Sequence, residues 1–266
     1  MVTFLLLSYA YLLVFHGSRN HLTQAAASRL KQLLSAKCQS INILTQQNYL
    51  GLNFSNSKSK ASDFVPAPLI ELAALELTPI SLSQSLINFA HKASQKGFSK
   101  IKIIPLFLSP GVHVQQDIPA EIASAEKQID YRLTIELSPY LGEYSGMMPL
   151  LLNKFAQLPA RTRILIAHGS RLSTGAMYYH DLAIQLNANL AFWSIEPKLS
   201  DQIKAQIALG IDRIALLPYF LFPGKITEAI ASEISSLQQE YPHVKLLVGS
   251  PLGETEALVE LIAREA

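Results

Sequence analysis

One order of residues occurs twice in this chain, and that repetition limits the possible folds more than any other feature. Leu12-Leu13-Val14-Phe15-His16-Gly17-Ser18-Arg19 returns as Ile164-Leu165-Ile166-Ala167-His168-Gly169-Ser170-Arg171. Ile103-Ile104-Pro105-Leu106-Phe107-Leu108-Ser109-Pro110-Gly111 returns as Leu216-Leu217-Pro218-Tyr219-Phe220-Leu221-Phe222-Pro223-Gly224, and Gly97 and Gly210 precede the two segments at the same distance. A weaker echo sets Leu75-Glu76-Leu77-Thr78-Pro79 beside Ser194-Ile195-Glu196-Pro197, which pairs Glu196 with Glu76. All three echoes run in the same order, as a duplicated domain requires. The 266 residues therefore divide into two related halves, 1–155 and 156–266, with the boundary between Leu151 and Arg161.

Within each half, short apolar runs alternate with amphipathic segments. Tyr11 to Phe15 and Ile164 to Ala167 are too short for helices and too uniformly apolar for half-exposed strands, so both read as strands buried on two faces. Helices follow at Leu22 to Leu34 and Met177 to Leu190, then second strands near Ser40 to Thr45 and Leu190 to Ile195. Further helices at Leu82 to Lys96 and Leu199 to Leu209 lead to third strands at Lys100 to Leu106 and Arg213 to Leu217. After each Pro-Gly turn come a helix, Ile118 to Gln128 or Thr227 to Glu240, and a last strand, Tyr131 to Leu137 or Lys245 to Val248. Strict alternation predicts α/β architecture with parallel sheets covered by helices on both faces. The first half is longer because 46–68 is inserted; its Ser-, Asn- and Lys-rich part, Asn53 to Ser62, has no period and reads as a surface loop, with a lid over a site as the functional alternative.

Composition narrows the function. A single cysteine, Cys38, excludes an internal disulfide framework and any Cys-based zinc or iron–sulfur site, and fits a reducing compartment. With 22 basic and 20 acidic residues, a general nucleic-acid binder has no support. The apolar run from Met1 to Phe15 is shorter than the roughly 20 residues that span a bilayer, and it lacks the basic start and small-residue cleavage site of a signal. It leads straight into His16, so much of it is expected in the core. The charge is unevenly spread: Arg19, Arg29, Lys31, Lys37, Lys58 and Lys60 all precede the first acid, Asp63. An anionic ligand approaching the N-terminal part would suit that distribution.

Ligands of open parallel sheets bind beyond the carboxyl ends of the strands, where helix N-termini converge. His16 lies at such an end, with Ser18 positioned to cap the next helix and Arg19 beside it. His113 follows the third strand and Glu76 the second-strand region, so both emerge at the same edge. Two imidazoles and a carboxylate from three strand ends suit a divalent first-row metal, the alternative being histidines that only cap or pack. In the second half His113 is replaced by Ile226, so a single metal-handling centre belongs to the first half. Arg171 and Lys225 would then present positive charge to an anion, or simply be solvated. His21, His91, His180 and His243 have no partner spacing and read as surface residues, and Tyr178-Tyr179 as packing. Phosphate-loop and nucleophile-elbow frames are missing around Gly224 and Ser18.

Taken together, His16-Gly17-Ser18-Arg19, Glu76 in Leu-Glu-Leu, and Pro105 through Gly111-Val112-His113 to Asp117-Ile118-Pro119 resemble the sirohydrochlorin chelatases of the class II chelatase family, in their long two-domain form. The resemblance spans nearly the whole chain. It implies two tandem flavodoxin-like domains with an active-site cleft between them, and insertion of Fe2+, for siroheme, into sirohydrochlorin with loss of two protons. Co2+ or Ni2+ insertion for cobalamin-type cofactors is the alternative, and the absence of a His-rich tail favours iron. The family's functional His, Glu and His fall on His16, Glu76 and His113, with His16 and His113 as the metal-holding pair. Ser18, Arg19, Gly111, Arg171 and Lys225 are then the expected contacts to a macrocycle bearing eight carboxylates. No permanently bound cofactor, no nucleic acid or membrane partner, a monomer, and a cytoplasmic (or plastid stromal) location are expected. A histidine-phosphatase-like hydrolase is disfavoured because Phe15, not Arg, precedes His16-Gly17; a non-catalytic tetrapyrrole or metal carrier is the other alternative.

Overall fold

A parallel sheet buried on both faces needs helices above and below it, and this chain builds that layering twice. The computed structural model describes residues 9–52, 68–129, 133–170, 173–253 and 255–265, with side chains other than those of 42–52, 173 and 174. The first half contributes β1 (Ala10–Phe15), α1 (His21–Leu52), β2 (Ile70–Ala74), α2 (Leu82–Gln95), β3 (Lys100–Pro105), α3 (Ile118–Glu126), β4 (Thr134–Leu137) and α4 (Met147–Ala156). The second contributes β5 (Thr162–Ala167), α5 (Ser173–Gln185), β6 (Asn189–Phe192), α6 (Leu199–Ala208), β7 (Arg213–Pro218), α7 (Lys225–Glu240), β8 (Lys245–Val248) and α8 (Glu256–Glu265). Among the described residues there are two four-stranded sheets, ordered β2-β1-β3-β4 and β6-β5-β7-β8, and every pairing is parallel. The tandem doubly wound fold expected from the repeats is therefore the observed one. Gly97 and Gly210 end equivalent helices with φ of +83° and +78°, a left-handed cap position that glycine occupies without strain.

The expected strand at Ser40 to Thr45 is not formed. α1 continues through it to Leu52, and Ile70–Ala74 pairs with β1 instead. The reason is periodic: Ala26, Ala27, Leu30, Leu34 and Cys38 are all buried at helical spacing, and no glycine or proline interrupts α1 before Gly51. The β-branched residues at Ile41 and Ile43 favour a strand locally, but tertiary packing of the stripe overrides that preference. Of the inserted 46–68, the first residues thus extend α1, and the loop or lid expected at Asn53 to Ser62 lies outside the described residues. α2 is 14 residues against 10 in α6, the extra turn expected in the first half.

Alternation along β1 divides the core. Leu12 and Val14 face a cluster closed by Leu82, Leu86, Phe89, Ile118 and Ile122, on the outer face of the first sheet. Tyr11 and Leu13 face a second cluster that runs without interruption into the second half, through Leu30, Leu151, Phe155, Leu165, Tyr179, Leu217 and Ile262. The middle layer between the sheets is built by exchange. α8, last in sequence, packs on α1 of the first half, while α4 packs on β7 of the second. Lys37 reaches Glu260 at 2.8 Å, and the Glu265 carboxylate accepts from the Ser145 and Gly146 N–H groups ahead of α4. Residues 155 and 156, where the halves were expected to meet, are the last two of α4. No helix among the described residues is long and apolar enough to cross a membrane. Residues 9–14 of the apolar start are buried, 10–14 of them in β1, as expected.

Candidate functional site

His16, Glu76 and His113 converge because the parallel ladder puts their strand ends side by side. Phe15 pairs with Ala74, and the ladder extends past both strands: the Leu75 N–H donates to Phe15 O at 2.8 Å and the Glu76 N–H to His16 O at 2.9 Å. Glu76 is thereby held directly beside His16. Gly17 makes this approach possible, since a Cβ there would lie 2.0 Å from the Glu76 carbonyl oxygen, and its φ of +97° is left-handed. On the other side of β1, β3 leads through 106–112 to a single π-helical turn, His113–Asp117, that opens α3.

The three side chains offer ligand atoms within 4.8 Å of one another. Glu76 lies between the imidazoles, its carboxylate oxygens 3.8 Å from His16 Nε2 and 3.9 Å from His113 Nδ1. The two rings meet edge to face, with centroids 4.8 Å apart. All three are partly open to solvent, His113 least. His16 Nδ1 is 3.3 Å from Gly17 O; because a carbonyl only accepts, the Nδ1–H tautomer would make this bond and leave the Nε2 lone pair for a metal.

One residue of the site went unassigned in the sequence. Asp117 Oδ2 lies 2.7 Å from His113 Nδ1, and this bond fixes the ring's tautomer and orientation while leaving Nε2 free. The signal was present as the i, i+4 spacing of His113 and Asp117, although a π-helical turn, not an α-helical one, carries it. The second half supports the same region. Tyr219, buried, donates to Leu108 O at 2.8 Å, and Tyr179 donates to Ser109 Oγ at 3.0 Å. The Tyr178 and Tyr219 hydroxyls are hydrogen-bonded at 2.7 Å, and burial pushes the Tyr219 phenol well above its ordinary value. Tyr178 and Tyr179 thus pack as expected, and they and Tyr219 pin the loop that leads to His113.

Beside the triad lies a cleft of about 550 Å³ lined by both halves. Ser18, Arg19, Asn20, Thr23 and Leu77 line one side, and Phe220, Phe222, Gly224, Lys225 and Ile226 the other. The N-termini of α1 and α7 open onto it, and Thr23 Oγ1 bridges to Pro223 O at 2.9 Å. Ser18 does not cap α1 as expected: it accepts from the Asn20 N–H, and Asn20 Oδ1 takes the cap by accepting from the Leu22 N–H. Arg19 and Lys225 reach the cleft from opposite halves and are exposed. Gly111 does not line it, and Arg171 lies outside the described residues. Of the basic N-terminal stretch, Lys31 pairs with Glu71 and Lys37 with Glu260, so these charges hold the fold together and Arg19 alone of the described ones enters the cleft. His21, His91, His180 and His243 are exposed.

The second half shows what the triad requires. Ser194 N–H donates to His168 O at 2.9 Å, so the backbone register pairs Ser194, not Glu196, with Glu76. The echo through Glu196-Pro197 was misaligned by two residues; the Glu196 carboxylate instead accepts from the Lys198 N–H ahead of α6. The second half therefore keeps His168 but has lost both other ligand positions, to Ser194 and Ile226.

The CbiX family model matches this chain twice, over residues 52–158 and 162–266. The chain belongs to the CbiX family. That double match agrees with the motif resemblance to the sirohydrochlorin chelatases and with the internal repeat. Over 215 residues the chain is 20% identical to a sirohydrochlorin ferrochelatase of Priestia megaterium, covering 74% of this chain and 77% of that one. Over 107 residues it is 27% identical to a sirohydrochlorin cobaltochelatase of the same organism, a match to 37% of this chain and about a third (35%) of that protein. Its fold superposes on SirB from Bacillus subtilis with Fe3+ at a TM-score of 0.65 and 20% identity, covering 97% of this CbiX-family chain and 94% of the other.

Proposed function

We propose that this chain is a sirohydrochlorin chelatase that inserts Fe2+ into the metal-free macrocycle, forming siroheme and releasing two protons. The observation that carries this reading is the convergence of His16, Glu76 and His113, whose chain neighbours Ser18, Arg19 and Leu77 line a cleft with cationic groups on both walls. The metal is a substrate here. Imidazole nitrogens and a carboxylate replace part of its water shell, which is the costly step of insertion. His16 turns its Nε2 toward the Glu76 carboxylate, and Asp117 holds the His113 ring in place beside it.

As the metal bonds to the ring nitrogens, two N–H bonds break and both protons must leave, so the net charge of the reacting groups is conserved. Glu76, between the two imidazoles and half exposed, is placed to accept protons and pass them to solvent. Arg19 and Lys225, each near a helix N-terminus, provide partners for the substrate's carboxylates on opposite sides of the ring. Fe2+ is favoured because the ferrochelatase relative matches over the larger part of the chain. Co2+ is the second reading, since the shorter match is to a cobaltochelatase and the same ligands accept either metal.

The test is an anaerobic assay in which sirohydrochlorin and Fe2+ or Co2+ are mixed with the protein and absorbance is followed against a protein-free control. Acceleration is expected, faster with Fe2+, and His16→Ala and His113→Ala should each reduce it by on the order of 10²-fold or more. Wild-type rates in both variants would overturn the mechanism. Tight macrocycle binding without acceleration would identify a carrier.

A further inference from the structure

Leu77 follows Glu76 directly and stands out in three ways. Its φ is +56°, a left-handed conformation in which a leucine is sterically strained. Its side chain is 53% exposed, unusual for so large an apolar group. It also lines the cleft, opposite Phe220, Phe222 and Ile226.

The repeat explains what the strain accomplishes. By the register that pairs Glu76 with Ser194, Leu77 corresponds to Ile195. Ile195 has no left-handed φ, is partly buried, and packs against the shared core. A Cβ on Gly169 would meet the Ile195 side chain at 2.8 Å, whereas a Cβ on Gly17 would meet the Glu76 backbone carbonyl. In the second half, then, this residue folds back over the glycine. In the first half the left-handed turn lays the Glu76 carbonyl over Gly17 and swings the following side chain out into the cleft. Backbone strain that exposes an apolar group beside candidate metal ligands signals a functional constraint.

We propose that Leu77 is a substrate-contact residue, the apolar surface on which the conjugated face of the tetrapyrrole rests beside the His16–Glu76–His113 cluster. The inference rests on the chelatase reading and deepens it. The opposite wall is also apolar, from Ile226, which occupies the position equivalent to His113, and from Phe220 and Phe222. Arg19 and Lys225 belong to the same cleft. A planar, apolar ring with a charged periphery matches that arrangement: faces against Leu77 and Ile226, carboxylates toward the cations.

Two substitutions separate contact from conformation. Asparagine is close in shape to leucine and tolerates the left-handed region, and glycine adopts it freely. Metal-free sirohydrochlorin is titrated anaerobically into wild type, Leu77→Asn and Leu77→Gly, following the macrocycle's fluorescence, and Co2+ is titrated in parallel without macrocycle. In both variants macrocycle affinity should fall roughly tenfold, about 1.4 kcal/mol. The Co2+ affinity should be unchanged, and the melting temperature equal or higher because the strain is relieved. If wild type binds the macrocycle and both variants bind it within twofold, this inference alone is overturned. If wild type binds Co2+ but no macrocycle, the chelatase reading fails and this inference with it.

Discussion

Replacing Gly17 by alanine tests how the site is assembled, because the repeat contains its own control. The added Cβ would stand 2.0 Å from Glu76 O, 3.0 Å from Glu76 C and 3.3 Å from Ala74 Cβ. Two of these neighbours are backbone atoms, which cannot rotate aside as a side chain would. Reaching even a 3.0 Å contact requires the carbonyl to retreat by about 1 Å. That displacement loosens the 2.9 Å bond between the Glu76 N–H and His16 O and carries the carboxylate away from the imidazoles. The left-handed φ adds about 1–2 kcal/mol, and the weakened hydrogen bond about 0.5–1.5 kcal/mol, so destabilisation should be roughly 2–3 kcal/mol. Misplacement by 1 Å at a reacting centre costs on the order of 10²-fold in rate.

Gly169→Ala pays the same backbone strain, with φ of +95°, but meets the side chains of Ile195 and Ser194 in the half without the triad. Gly111→Ala meets nothing within 4 Å. Thermal unfolding and initial rates of metal insertion should therefore diverge. Gly17→Ala loses stability and about 10²-fold in rate, Gly169→Ala loses stability with its rate nearly kept, and Gly111→Ala resembles wild type. Equal insertion rates for Gly17→Ala and Gly169→Ala would refute the argument that Gly17 exists to seat Glu76.

Other consequences follow from the same geometry. Asp117→Asn keeps the shape but removes the charge behind His113, and should weaken Co2+ binding 10- to 100-fold by visible-absorption titration; an unchanged Kd would exclude the orienting role. Ser194→Glu combined with Ile226→His rebuilds the missing ligand positions around His168, so the Co2+ stoichiometry should rise from one to two per chain, and a ratio that stays at one would show that the halves are not equivalent at this edge. Tyr219→Phe leaves Leu108 O without its donor in a buried setting and should cost about 1–3 kcal/mol in urea unfolding, with weaker metal binding because the His113 loop is released. Partial burial pushes the Glu71 carboxyl up, but hydrogen bonds from Lys92 and Lys31 together outweigh it and hold the group below its usual value. A lowered folded-state value means that this contribution is present above the ordinary carboxylate range and is lost as pH falls through the folded value. Stability curves of wild type and Glu71→Gln should accordingly converge in acid and separate toward neutrality.

What was legible, and what was not, differs residue by residue. His16 and His113 could be placed at one edge because a short apolar run followed by Gly-Ser or Pro-Gly marks a strand end without any knowledge of its neighbours. The carboxylate opposite Glu76 could not be found the same way. Matching letters through Glu196-Pro197 selected the wrong partner, since the equivalence is set by which N–H reaches His168 O. Ser40 to Thr45 has strand-like composition, yet its place in a helix is decided by the buried stripe running through Leu30, Leu34 and Cys38. The i, i+4 spacing of His113 and Asp117 was in view, but the π-helical turn that carries their bond was not.

By itself the sequence determined the duplicated unit, the alternation of strand and helix, and the edge where chemistry gathers, because periodicity and turn residues act over a few positions. Tertiary structure alone decided that Glu76 stands beside His16, that α8 packs on α1 and α4 on β7, that two lysines of the basic stretch serve ion pairs, and that Leu77 turns outward while Ile195 turns in. Each of these depends on contacts between residues tens to hundreds of positions apart. Such contacts are chosen by burial and hydrogen bonding of the whole chain at once.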